Sequence, residues 1–100
     1  MPWIVVFIPS DSLKTIDQLV VANACVTVAA EVFDIPNTYV AAQVHIGESA
    51  PLGAQGCLVH VAGEARTAEQ EEELLRRLRF AISESSGLAA EAICIVRSAI

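Results

Sequence analysis

Basic residues are scarce in this sequence: six Lys and Arg stand against twelve Asp and Glu, for a formal net charge of −6. A phosphate backbone is gripped by clustered Lys and Arg, so this balance argues against nucleic acid as a partner. Cysteine is sparse and odd in number. Cys25, Cys57 and Cys94 sit in separate apolar surroundings (NACVTV, QGCLVH, AICIVR), with neither a CxxC pair nor zinc-ligand spacing. They read as buried free thiols of a reducing cytoplasm. His45 and His60 fall on neighbouring strands without a carboxylate at ligand spacing, so neither a metal nor another cofactor is expected. Long apolar runs are also missing. The stretch from Leu19 to Ala30 is broken by Asn23 and Thr27 and falls short of the roughly 20 residues a bilayer crossing needs. No positive charge precedes the first apolar run, which stops at Pro9, so no targeting signal is visible. These absences predict a cytoplasmic protein without a membrane partner.

What the sequence has in abundance is apolar surface. Hydrophobic residues make up 54% of 100 residues and charged ones 18%, more than one small core can hide. A single domain over residues 1–100, with apolar area left for a subunit interface, is the expectation. Trp3 to Ile8 (WIVVFI) reads as a fully buried strand. SDS at Ser10 to Ser12 offers an N-cap ahead of Leu13, Ile16, Val20, Ala24, Val28 and Val32, whose spacings of three and four predict a helix. That helix should stop near Asp34, because Pro36 biases Ile35 toward an extended conformation. Tyr39 to Ile46 predicts a second strand, and Cys57 to Ala62 a third, after a Gly- and Pro-bearing turn. Thr67 with Gln70 predicts a capping box at the head of a second helix, whose apolar face is Leu74, Leu75, Leu78, Ala81 and Ile82. Glu72 with Arg76 and Glu73 with Arg77 should pair one turn apart on its solvated face. Gly87 closes it, and Ala92 to Val96 predicts a fourth strand.

The order βαββαβ is two βαβ units, about residues 2–47 and 55–100, and a shift of 53 residues lays one on the other in apolar pattern. An α+β fold follows, with a four-stranded sheet and both helices on one face. The other face is left for further subunits.

Pro2 is the first chemical candidate. Proline is harmless at a strand's first residue and common after Met. If Met1 is removed, the same residue becomes a secondary amine at the end of a strand. An α-amino group titrates at about 8 in water and lower when desolvated, so it can act as a general base or as a nucleophile toward carbonyls. With Met1 retained, the nitrogen is an amide without basicity.

MPWIVVFI at the start, the long first helix, DIPNTYVAAQV through the second strand and a second βαβ unit of the same design resemble the tautomerase superfamily. That group includes 4-oxalocrotonate tautomerase, macrophage migration inhibitory factor, malonate semialdehyde decarboxylase and cis-3-chloroacrylic acid dehalogenase. The resemblance implies a trimer or hexamer with sites between neighbours, and Pro2, freed of Met1, as catalytic base or proton donor. It also implies a role for Arg66, which stands in GEARTAEQ where the dehalogenase branch carries an arginine. A guanidinium at a helix N-terminus suits a carboxylate, although a surface arginine balancing Glu64 and Glu69 would look the same. Glu31 falls near a polar helper of the dehalogenase pattern. Arg97 or Lys14 could supply a second cation.

The sequence departs from the pattern at three places. Gly63 stands where the dehalogenases have a second arginine, Ile35 where cytokine-type members have lysine, and Ile93 and Ile95 replace polar positions of strand four. The resemblance therefore implies a homotrimeric, tautomerase-like isomerase acting on a small carboxylated 2-oxo acid, with Pro2 as base and Arg66, Glu31 and Arg97 as substrate-binding residues. The alternatives are a dehalogenase or decarboxylase of the same superfamily, or a non-catalytic small-molecule-binding or assembly module. The βαββαβ order by itself separates none of these.

Overall fold

A computed structural model describes residues 1–9, 16–47 and 56–99. The elements run β1 (Trp3–Ile8), α1 (Gln18–Phe33), a 3-10 turn (Asn37–Tyr39), β2 (Ala41–Ile46), β3 (Cys57–Gly63), α2 (Ala68–Ser86), a second 3-10 turn (Ala90–Ala92) and β4 (Ile93–Ala99). The sheet order is β2-β1-β3-β4, with β1 parallel to β2, β3 parallel to β4, and the two halves joined by antiparallel β1 and β3. The 53-residue shift holds in three dimensions: it carries the first 3-10 turn onto the second, the end of α1 onto the end of α2, and Asp34 onto Gly87. Those last two residues cap their helices in the left-handed conformation.

Local chemistry sets most boundaries. Asp17 starts α1 by accepting the Leu19 and Val20 amides on one carboxylate oxygen. The SDS cap lies outside the described residues. Asp34 (φ 55) ends the helix, its amide bonding back to Ala30 and Glu31, and Pro36 prevents resumption. The capping box of Thr67 and Gln70 forms as the motif predicts. Gly87 closes α2, and Ser86, a buried polar residue, turns its hydroxyl onto the Ile82 carbonyl and accepts the Leu88 amide.

The core lies between the helices and one face of the sheet. Ile4, Val6 and Ile8 of β1 and Val59 and Val61 of β3 meet Val21, Cys25, Val28, Ala29 and Phe33 of α1 and Leu74, Leu78 and Ile82 of α2. Three expectations are corrected here. β1 is not buried on both faces: Trp3, Val5 and Phe7 point away from the helices, and Trp3 is 50% exposed. The buried stripe of α1 runs through Val21 and Cys25, leaving Val20 exposed, because that helix is apolar nearly all round and periodicity singles out no face. Cys94 is exposed, since alternation along β4 turns it away from the core. The expected pairs on α2 also change partners. Arg76 bonds Glu73 (2.6 Å), and Arg77 reaches across to Glu31 on α1.

Among the described residues no helix covers the outer sheet face. Across it run Trp3 beside Ala62 and Ala41, Val5 beside His60, and Phe7 beside Leu58, with the Phe7 and His45 rings stacked 5.3 Å apart. His60 Nε2 and the Ser98 hydroxyl share a 2.8 Å hydrogen bond on the same face. Near the start of β3 a Cβ on Gly56 would overlap the Ala92 carbonyl oxygen, and beside Pro2, at the start of β1, lies a cavity.

Candidate active site

The cavity, about 300 Å³, is lined by Met1, Pro2, Ile35, Tyr39 and Arg66. Each reaches it for a local reason. Pro2 precedes β1 and shares the inward parity of Ile4, Val6 and Ile8; it is buried. Its carbonyl accepts the Ala41 amide (3.0 Å), so the heads of β1 and β2 are tied together there. The helix stop at Asp34 and Pro36 throws the chain into the 3-10 turn, which carries Ile35 and Tyr39 around Pro2.

Arg66 arrives from the opposite side, at the head of α2. The capping box fixes that end, and Gln70 also donates through Nε2 to the Val32 carbonyl (3.3 Å), docking the start of α2 on the end of α1. This brings the Arg66 guanidinium over the Phe33 ring at 4.8 Å from its centre. Arg66 Nε is buried and has no hydrogen-bond partner. A buried donor left unpaired costs about 1–3 kcal/mol, which an incoming acceptor would relieve.

Gly63 lies against Pro2. Its φ of 147 is one that side chains disfavour, and a Cβ there would stand 3.2 Å from Pro2 Cα and 3.6 Å from Pro2 N. A side chain at position 63 would have to adopt this disfavoured φ and would crowd Pro2. Phe33 is the part of the site that sequence patterning does not single out, and Gly63 enters the sequence reading only as the place of a missing arginine. A faint signal exists in each, an aromatic at the last helical position and a glycine at the last position of a strand.

Of the sequence candidates, Pro2 and Arg66 share the cavity, joined by Ile35 and Tyr39. Glu31 does not line it and is paired with Arg77 on the helical side. Arg97 does not line it either; it faces Glu71 and the backbone of the turn after β3. Lys14 lies outside the described residues. Ile93 is buried in the core and Ile95 packs against it, so neither faces the cavity. A larger hollow of about 380 Å³ between the helices is lined by Glu73, Arg76, Arg77 and Phe80, but its charges are already paired. There the Arg76 hydrogen bond holds the Glu73 carboxyl below its usual range. Among the described residues no group of His, Cys, Asp and Glu gathers as metal ligands, and no helix is long and apolar enough to cross a membrane.

No protein-family model and no curated protein matches the sequence. Solved structures match over nearly all of it. A macrophage migration inhibitory factor-like protein from Entamoeba histolytica superposes with a TM-score of 0.76 at 16% identity, covering 99% of this chain and 88% of its own. A fused 4-OT, solved as a symmetric trimer, gives 0.77 at 20% identity over 98% of this chain and 85% of its own. A member of the cis-3-chloroacrylic acid dehalogenase family gives 0.76 at 21% identity, over 98% and 74% respectively. The mixed four-stranded sheet with two helices is the fold of the tautomerase superfamily.

Proposed function

We infer that the protein is a tautomerase-like isomerase of small carboxylated 2-oxo acids, working through the Pro2 amine once Met1 is removed. The observation that carries this reading is that Arg66, whose buried Nε has no hydrogen-bond partner, lines the same cavity as Pro2. A carboxylate seated there would meet a guanidinium already stacked over Phe33. Loss of Met1 turns the Pro2 nitrogen from an amide into a secondary amine. Low solvation and the nearby cation both favour its neutral form, the form that can take a proton. The amine removes the proton from the carbon next to the carbonyl, Arg66 stabilises the enolate oxygen that develops, and the resulting ammonium returns the proton to that oxygen. The reverse sequence converts enol to ketone. Ile35 and Tyr39 give the cavity an apolar side, suited to a substrate with an apolar substituent.

The working unit we infer is a cytoplasmic homotrimer, with copies covering the outer sheet face around Trp3, Val5 and Phe7. The uncovered apolar residues of that face support it, as does the trimer of the fused 4-OT.

Ile35 favours a second reading, a trimeric module that binds a carboxylate without transforming it, because among the described residues the cavity is lined by one cationic side chain, and Ile35 stands where cytokine-type members of the superfamily carry a lysine. Intact mass and ketonisation of phenylenolpyruvate separate the two. Met1-free protein should accelerate ketonisation over buffer, and Pro2→Ala should abolish the effect with the fold intact. Rates equal to buffer for fully processed protein would leave the binding module.

A further inference from the structure

Arg97 is nearly buried, its side chain 13% exposed, against 25% for the Glu71 side chain it faces. All five of its N–H bonds have acceptors. Nε donates to Glu71 Oε1 (2.7 Å) and Nη2 to Glu71 Oε2 (3.2 Å). Nη2 also donates to the Glu64 carbonyl (2.6 Å), and Nη1 to the carbonyls of Gly63 (3.2 Å) and Ser98 (2.9 Å). A guanidinium has five such donors, so none remains for a substrate oxygen.

Three segments converge on this group: the end of β3 with the turn that follows, the end of β4, and the first turn of α2. Residues 64–66 of that turn belong to neither helix nor strand. The same turn sets Gly63 against Pro2 and delivers Arg66 to the cavity. We propose that the Arg97–Glu71 pair is the positioning device of the Pro2 cavity: it clamps the Gly63 and Glu64 carbonyls and thereby sets the reach of Arg66 and the closeness of Gly63 to Pro2. This rests on reading the cavity as a carboxylate site. Glu71 orients the planar fork edge-on, which lets the remaining donors fan out toward the two carbonyls. Lysine, with three donors on a single nitrogen, can satisfy only part of that set.

The test compares Met1-free wild type with Glu71→Gln and Arg97→Lys, at a temperature where circular dichroism shows each folded. Two quantities are measured: amide order parameters over residues 63–66 from NMR relaxation, and the Kd for phenylpyruvate by NMR titration. Both variants should show lower order parameters in the turn and bind phenylpyruvate about tenfold or more weakly, with KM affected more than kcat where turnover is measurable. Should Arg97→Lys fail to fold, Glu71→Gln, which keeps shape and one acceptor, carries the test. Lower thermal stability with unchanged order parameters and Kd would overturn the proposal and leave the pair merely structural. Wild type that binds no phenylpyruvate would instead overturn the carboxylate reading of the cavity, and the clamp would then stand or fall on the order parameters.

Discussion

Gly63 and Pro2 touch backbone to backbone: a methyl group added to Gly63 would lie 3.2 Å from Pro2 Cα, closer than such groups comfortably pack. Gly63→Ala should therefore move the residue beside it or strain the backbone at φ 147, which an L side chain rarely adopts. The expected outcome is a loss of about 1–3 kcal/mol in urea unfolding together with at least tenfold lower ketonisation activity. Wild-type activity in a stably folded Gly63→Ala protein would show that this contact does not shape the site.

Arg66→Met should separate function from stability. The substitution removes a cation and its unpaired buried donor but keeps an apolar chain over Phe33. Unfolding free energy should change by less than about 1 kcal/mol, because the lost cation–π contact offsets the relief of the unpaired group. KM for phenylenolpyruvate should rise about tenfold or more, the worth of a charge-assisted hydrogen bond. Equal KM values in steady-state assays would remove Arg66 from substrate binding.

Thr67→Ala deletes the side-chain half of the capping box and should cost about 1 kcal/mol in thermal or chemical unfolding. Because the same cap seats Gln70 on the Val32 carbonyl, the variant should also loosen Arg66 and raise KM with little change in kcat. A change in stability alone would mean that the docking of α2 does not reach the cavity.

Alkaline pH should destabilise the protein through two thiols. Burial, reinforced by the neighbouring Cys57, pushes the Cys25 thiol up to about 12; burial, reinforced by Cys94, pushes Cys57 up to about 11. In the unfolded chain both ionise near the ordinary value of 9.0, so between that pH and the folded values the unfolded state holds fewer protons and folding stability falls as pH rises. Each thiol contributes a slope of about 1.4 kcal/mol per pH unit across its window. Urea midpoints measured from pH 8 upward should fall, and Cys25→Ala should flatten the slope. Iodoacetamide should leave Cys25 and Cys57 unmodified in the native protein at pH 8.

The parts of the fold legible in the sequence are those decided within a few residues. Thr67 and Gln70 name their own capping box, Pro36 stops α1 at Asp34, and Gly87 stops α2. The face of α1 was not legible, because Leu19, Val20 and Val26 are as apolar as the residues that are buried. Nor were the partners of the long charged side chains. Arg77 lies one turn from Glu73 along the chain and yet reaches Glu31, since packing sets the two helices side by side. The site divides in the same way. Pro2 and Arg66 are candidates at a strand head and a helix head, Arg66 by way of the tautomerase resemblance, whereas the contact of Arg66 with Phe33, that of Gly63 with Pro2 and the pairing of Arg97 depend on segments that only the folded chain brings together.

The close approach of Gly56 to Ala92 and the cavity beside Pro2 give the two halves of the pseudo-repeat different surroundings. A unit laid against its own copy produces two equivalent corners, and chemistry needs one. Here a Cβ at Gly56 would overlap the Ala92 carbonyl oxygen, whereas the corner at Pro2 holds an open hollow and an arginine with an unpaired donor.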